Sequence, residues 1–301
     1  MSLTVVLVNW RNEQQTLRCV RAINGWRTLA PKLVVVDNQS TEATRQCLKA
    51  ALASDQLVSS PVNLGYGGGN NLGIRRALED TPTYLLLLNS DAAITEAAVS
   101  GLLGRLAGDA NISIIGPVIS ERAGRQTQCL VGGRDIALHP LTRIAVSPGA
   151  LSALPGYPLQ PVDYVPGTVF LARRTVFEQV GLLDEQYFFS GEIADFCRRA
   201  KAYGHDAFVA LDVLAEHDTG HAPSRLRDTL YAYYSLRNRY LFVRKHHGSE
   251  TARLFAYWTW VGSQQIARSL MRGNASRARA LSLALAHGLT NRYGNQNAKF
   301  L

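Results

Sequence analysis

Asp37-Asn38 closes a β-branched apolar run, and Asn89-Ser90-Asp91 follows the apolar stretch Tyr84-Leu85-Leu86-Leu87-Leu88. Glu192 and Asp195 open a helix-like stretch, and His217 follows the last strand-like one. Short acidic motifs at strand ends are where α/β proteins hold nucleotides and metals, so the pattern points to an enzyme acting on a charged, phosphorylated substrate. A carboxylate such as Asp91 can hold Mg2+ or Mn2+ through one oxygen and leave other positions for phosphate oxygens and water. Such an ion would neutralise a leaving diphosphate. The plainer reading of Asp91 is an Asx turn. Asp37 and Asn38 can accept from and donate to a nucleobase edge or a ribose hydroxyl. Their plainer reading is a helix N-cap, a task that Ser40 fits better. Glu192 and Asp195 are three residues apart and share a helix face, so one can act as general base while the other orients a partner. First-turn acids favoured by the helix dipole and paired with Arg198 or Arg199 would show the same pattern. A lone histidine in the position of His217 is more often a satisfied loop residue than a ligand.

The run Asn63-Leu64-Gly65-Tyr66-Gly67-Gly68-Gly69-Asn70-Asn71 reads as a glycine-rich loop before a helix over 70–79. Glycines let backbone pass close to a ligand, and the following helix N-terminus favours an anion. The run is not the dinucleotide fingerprint, because Asn70 stands where a third glycine is needed and the loop does not follow the first strand. A Walker A loop is absent as well, and a plain turn is the competing reading.

These residues need a frame. Strand-like and helix-like stretches alternate through the first half: a strand over 3–8, a helix over 13–26, a strand over 33–36, a helix over 41–53 capped by Ser40, and a third strand over 56–59. A strand over 84–88, a helix over 95–106 and a strand over 112–119 follow. Alternation of this kind predicts a mainly parallel sheet with helices on both faces, its ligands lying beyond the carboxyl ends of the strands. Residues 121–163 are rich in Gly, Pro and Arg and read as a flexible loop or an acceptor-facing insertion. Strands over 169–172 and 207–211 flank a helix over 192–203. Beyond Ser224 the chain reads as helices separated by Gly248 and by Gly273-Asn274.

The 301 residues, 47% of them hydrophobic and 18% charged, can bury a sizeable core. No signal pattern or run of about 20 apolar residues is visible, and Cys19, Cys47, Cys129 and Cys197 form no CxxC pair, as expected of reduced cytosolic thiols. The net charge of +9 is uneven: residues 222–301 carry 13 Lys and Arg against Asp228 and Glu250. A basic tail can meet nucleic acid, an anionic membrane face or a diphosphate-bearing substrate; with no nucleic-acid-binding module visible, the first is disfavoured. Tyr233, Leu236, Tyr240 and Val243 fall at helical spacing and suit a packed stripe. Arg237 and Arg244 share another face, expected to meet a membrane or an anionic lipid-linked acceptor. The aromatics of 254–261 suit a subunit interface or an interfacial membrane contact.

Taken together, order and spacing over residues 3–220 resemble the inverting nucleotide-sugar glycosyltransferases of family two, which have the GT-A fold, and most of all their rhamnosyltransferase-like branch. The resemblance rests on Asn9-Trp10 after the first strand, Val35 to Ser40, Asn63 to Gly73, Asn89 to Asp91, Gly167 to Arg174, Val180 to Glu185, Gly191 to Asp195 and His217 to Gly220. The segment Tyr233 to Arg239 looks like the helix that follows the catalytic domain in these enzymes. The resemblance implies a GT-A domain over 1–222 and a basic helical region over 223–301. It implies sugar transfer from a nucleoside diphosphate, dTDP-rhamnose for instance, to a saccharide or lipid-linked acceptor hydroxyl in polysaccharide or cell-wall assembly, at the cytoplasmic side of the membrane. The donor site would comprise Asn9, Asp37, Asn38, Asn63, Gly65, Asn70, Asn89, Asp91, Gly167 and Thr168, with Mg2+ or Mn2+ at Asp91 and His217. An acid at 192–195 would deprotonate the acceptor. One departure matters: the family's Gly-Glu-Asp-x-Asp reads Gly191-Glu192-Ile193-Ala194-Asp195 here. Ile193 cannot take a proton, so Glu192, which we favour, or Asp195 takes the role, or the chain binds nucleotide sugars without turnover.

Overall fold

The computed structural model describes residues 2–123, 126–151, 158–218 and 225–300. Strands β1 (Leu3–Asn9), β2 (Lys32–Asn38), β3 (Leu57–Ser60) and β4 (Tyr84–Asn89) run parallel in the order β3-β2-β1-β4. Helices α1 (Glu13–Asn24), α2 (Glu42–Ala51) and α3 (Gly65–Glu79) connect them. There follow β5 (Ala92–Ala93), α4 (Glu96–Gly108), β6 (Ile112–Ala123), β7 (Gln126–Gly133), β8 (Arg143–Val146), α5 (Pro148–Leu151), β9 (Leu159–Val162), β10 (Val169–Arg173), α6 (Arg174–Val180), α7 (Glu192–Ala202) and β11 (Asp206–His217). Three helices close the chain: α8 (Arg225–His246), α9 (Thr251–Met271) and α10 (Ala275–Leu289).

The half built from β1 to β4 is parallel, as the alternation implies, but the whole sheet is mixed. Strand β10 enters antiparallel between β4 and β6, and β7, β8, β9 and β5 add further antiparallel edges. Residues 121–163, read from the sequence as loop, thus contribute strands; their Gly and Pro content hides a period that short edge strands hardly show. Strand β11 extends to His217, which is therefore a strand residue.

The continuous apolar runs of β1, β2 and β4 follow from burial on both faces. Val5, Leu7, Val35, Leu86 and Leu88 pack with α1, α2 and α4, whereas Val6, Val34, Val36, Leu85 and Leu87 pack with α3, α6 and α7. A third cluster joins α8, α9 and α10 to Ile136, Ala137, Tyr187, Phe188 and Ala194 of the sheet-bearing part. Tyr233, Leu236, Tyr240 and Val243 lie in it, buried as their spacing implies. The division expected at 222/223 lies outside the described residues, as do Thr219 and Gly220 of the His217 motif.

The glycine run is helical. Helix α3 starts at Gly65, so Gly67, Gly68 and Gly69 lie within its first turns. A Cβ on Gly69 would sit 2.9 Å from Val8 Cγ1, and one on Gly73 would overlap Val6 Cγ1. These glycines let the helix lie close on β1 and β2. Their conformational freedom is used at Gly65 alone in this run, with φ 73°.

Candidate active site

Strand ends gather the acidic residues as the alternation implies. Asn9 at the end of β1 is in register with Asp37 of β2. Asn9 Nδ2 donates to Ser40 Oγ at 2.8 Å and its Oδ1 accepts from Thr16 Oγ1 at 2.8 Å. Asp37 Oδ1 accepts from Ser40 N at 2.9 Å and Oδ2 from Arg45 Nε at 3.2 Å. Both residues are sealed from solvent, and the outer side of Asp37 carries Arg45. Ser40 serves these two residues, and the N-cap of α2 is Thr41 instead. Asn38 ties the start of α3 to β2: its Oδ1 accepts from Leu64 N at 2.9 Å, and its Nδ2 donates to Gly65 O at 3.0 Å and Asn63 Oδ1 at 3.3 Å. Asn63 Oδ1 also accepts from Gly65 N at 2.8 Å. Asn70 is buried and donates to Tyr66 O within its own helix. It too supports the floor of the site.

Beyond β4, Asn89 N donates to Thr168 O at 3.0 Å, joining that motif to the Gly167-Thr168 approach to β10. Asp91 Oδ1 lies 3.3 Å from His217 Nε2, and the other side of the imidazole faces Glu121 Oε2 at 3.4 Å. Glu121 Oε1 is held by Gln128 Nε2 at 2.7 Å and Arg143 Nη1 at 3.1 Å. Burial works against charge on His217, but hydrogen bonds and charges from Asp91 and Glu121 prevail and push it up to about 9. The Asp91–His217 spacing is about that of neighbouring ligands on one octahedral ion with bonds of ~2.1 Å. Among the described residues no group of three or more His, Cys, Asp or Glu gathers to hold an ion. A carboxylate oxygen and an imidazole nitrogen at this spacing fit an ion that displaces the imidazolium proton from between them and takes its remaining ligands from a diphosphate and water.

Two acids at the start of α7 have opposite environments. Asp195 is fully buried, with Arg199 Nε at 2.8 Å from Oδ2, and His246 Nε2 at 2.9 Å, the Tyr187 hydroxyl at 3.3 Å and Lys245 Nζ around Oδ1. Burial alone would push it up; the His246 hydrogen bond and the charges of Lys245 and Arg199 outweigh that and hold it well below the usual carboxylate range. Oδ1 fastens α7 to α8 and Oδ2 is held by Arg199 of its own helix, so neither oxygen of this second candidate base is without a partner. Glu192 is also buried, but its Oε2 has no hydrogen-bond partner. Burial pushes it up to about 7, against the pull of the backbone N–H groups of Glu192 and Ser190 and with a further push from Asp195. Beside it, Tyr66 Oη donates to Gly167 O at 2.6 Å. Burial, then Glu192, then Asp91 push that phenol up, so both carboxylates act on one hydroxyl.

The sequence reading missed Tyr66, Glu121, Lys245 and His246. Tyr66 is the one aromatic side chain in the glycine run, a signal that could have found it. Glu121 lay in a stretch read as loop, and Lys245 and His246 come from a helix far along the chain. Arg237 and Arg244, expected to face a membrane, turn inward: Arg237 is fully buried, and Arg244 stacks over Phe255 with its guanidinium carbon 4.6 Å from the ring centre.

The sequence profile of glycosyl transferase family 2 matches residues 4–181. The chain is 29% identical over 300 residues to a low-salt glycan biosynthesis hexosyltransferase of Haloferax volcanii, covering 97% of this chain and 92% of that protein. It is 28% identical over 277 residues to the N-acetylglucosaminyl-diphospho-decaprenol L-rhamnosyltransferase of Mycobacterium tuberculosis, covering 85% and 88% of the two chains. A mannosyltransferase from Pyrobaculum calidifontis, solved with GDP-Man and Mn2+, superposes with a TM-score of 0.53 at 14% identity, over 96% of this chain and 87% of that one. That likeness shows a shared GT-A fold.

Proposed function

The chain belongs to glycosyl transferase family 2, and from that premise we propose that it moves a sugar, with inversion, from a nucleoside diphosphate to the hydroxyl of a saccharide or lipid-linked acceptor, with Glu192 as the base. The observation that carries this reading is the Glu192 carboxylate: buried, with one oxygen unpartnered, and poised near neutrality. A base works best when its pKa lies near the operating pH. The acceptor oxygen attacks the anomeric carbon, the bond from that carbon to the diphosphate oxygen breaks, and the bonding pair leaves with the nucleoside diphosphate. The acceptor proton passes to Glu192 Oε2. Asp91 and His217 are the residues that would hold Mg2+ or Mn2+. When bound, such an ion offsets the charge that accumulates on a leaving diphosphate. Asn38, Asn63, Gly65, Asn89, Gly167 and Thr168 line the approach to the donor, on the floor set by Asn9, Asp37 and Asn70.

The rhamnosyl relative supports a deoxysugar donor such as dTDP-L-rhamnose and a lipid diphosphate acceptor, and with it work at the cytoplasmic face of a membrane. No helix among the described residues is long and apolar enough to cross one. Contact would be peripheral, through the outer side of α9, where Trp260 and Met271 are 59% and 79% exposed near Arg268 and Arg272. Pairing with a second copy through the same face is the competing use. Residues 1–222 would form the transferase unit and 223–301 the helical region that braces it. The test is a thermal-shift screen of nucleoside diphosphates and their sugars with and without Mn2+, since a ligand of the folded state raises its stability by mass action. Stabilisation by a nucleotide sugar, enhanced by Mn2+, supports the reading; none by any of them refutes it. Ile193 keeps a second reading in play, binding without turnover, and donor stabilisation with no transfer would favour it.

A further inference from the structure

The turn that delivers Glu192 is held from a distant part of the chain. Residues 188–191 lead into α7 with φ 61° at Phe188, 71° at Ser190 and 105° at Gly191. Side-chain-bearing residues persist in this region only where the surroundings over-determine them. Here the surroundings are two side chains of α8. Arg237 Nη2 donates to Gln186 O at 3.1 Å and Tyr187 O at 2.9 Å. Asn238 Nδ2 shares its two hydrogens among Tyr187 O at 3.0 Å, Phe189 O at 2.9 Å and Ser190 O at 2.5 Å. Asn238 Oδ1 accepts from Arg237 Nε at 2.8 Å and Nη2 at 2.7 Å, so the pair fixes itself as it fixes the turn. Arg237 Nη1 donates to Gly294 O at 2.7 Å, and Gly294 N donates to Gln186 O at 2.8 Å. The segment after α10 thereby closes the same knot. The guanidinium carbon lies 4.7 Å from the centre of the Tyr234 ring, so carbonyl oxygens and aromatic faces meet its charge. The carbonyl of Phe188 points the other way, to Tyr66 N at 2.8 Å, and a side chain at Gly65 would collide with it.

We propose that Arg237 and Asn238 are positioning residues for glycosyl transfer: by drawing the carbonyls of residues 186, 187, 189 and 190 to one side, they set the turn that delivers the Glu192 carboxylate, buried, toward Tyr66. This rests on Glu192 being the base. With those carbonyls turned away, the N–H groups of Ser190 and Glu192 face the carboxylate. The charged and titratable groups around it are Asp195 on its own helix and Tyr66 of α3; behind Asp195 stand Arg199 of α7, Tyr187 of the turn, and Lys245 and His246 of α8. A pair that only docked α8 would affect stability and leave the titration of the base alone.

The test uses the full chain with Asn238→Ala and Arg237→Lys. One readout needs no substrate: amide hydrogen exchange over residues 186–192. The second is dTDP release from dTDP-L-rhamnose, with water as acceptor, across pH. We expect exchange in that segment to rise about tenfold or more while β1 and β4 stay protected. dTDP affinity should hold within about twofold and release should fall about 10²-fold, the loss typical of a misplaced base. The acid limb of the rate should move from near 7 toward the ordinary carboxylate 4.5. Unchanged exchange would overturn the proposal, and so would a rate that falls in parallel with dTDP affinity at a fixed acid limb. If the unsubstituted chain released no nucleotide from any nucleotide sugar, the proposed function would fall, and the exchange result would still decide how the turn is held. Should Asn238→Ala not fold, Asn238→Ser takes its place with the same outcomes.

Discussion

Replacing Glu192 by Gln should make the protein more stable, and increasingly so as pH rises. The carboxylate is buried and its ordinary value of 4.5 is pushed up to about 7. Between those values the folded chain keeps a proton that the unfolded chain has released, so stability falls with rising pH and levels off above about 7. At about 1.4 kcal/mol per tenfold change in proton affinity, the full penalty is ~3 kcal/mol. Gln keeps the size and removes the charge, so the variant escapes the penalty. Its advantage over the unsubstituted protein should be below ~1 kcal/mol near pH 5 and reach ~3 kcal/mol near pH 8. Urea unfolding of both proteins at the two pH values measures this directly. An advantage that stays flat with pH would mean that the carboxylate does not bear this burial cost, and the argument that it is poised near neutrality would fail. Stability and activity would then trade off, since the group whose burial weakens the fold at neutral pH is the one proposed as the base.

Asp195→Asn should have the opposite character. It removes the acid at the centre of Arg199, Lys245 and His246, and breaking a buried pair in this way costs about 3–5 kcal/mol. Denaturant unfolding should show that loss while the protein that remains folded still turns over; full stability with turnover abolished would return the base to Asp195. Asp91→Ala should lose Mn2+-dependent nucleotide affinity with the fold intact, and calorimetry that finds the affinity unchanged would remove Asp91 from the metal site. If the outer face of α9 meets lipid, the chain should co-sediment with anionic vesicles at low salt and less at high salt, at about 1 kcal/mol per Arg near the surface. Equal binding to neutral vesicles, or none to either, would leave self-association as the use of that face.

Much of the frame was legible because its signals are local. The apolar runs at 3–8, 33–36 and 84–88 correspond to β1, β2 and β4, and Gly248 and Gly273-Asn274 mark the breaks between the closing helices. The glycine run misled because two demands use the same residue: glycine serves loops that approach ligands, and equally a helix lying close against Val6 and Val8. Strand direction was not legible, since an apolar segment such as 169–173 has the same composition whichever way it runs. In the site, the types and spacing of Asp91, His217 and Glu192 were informative, but the contrast between Glu192 and Asp195 was not. It depends on Lys245 and His246 arriving from α8, and no local pattern encodes that meeting. The inward turn of Arg237 was hidden for the same reason, because its partners are backbone carbonyls that any sequence would offer.

The most direct measurement follows transfer from dTDP-L-rhamnose to a lipid-linked N-acetylglucosaminyl diphosphate, with product configuration read by NMR, for the unsubstituted chain and for Glu192→Gln. The account predicts an inverted product, and a rate about 10²–10⁴-fold lower in the variant at nearly unchanged donor affinity. A variant that transfers at the unsubstituted rate would contradict it.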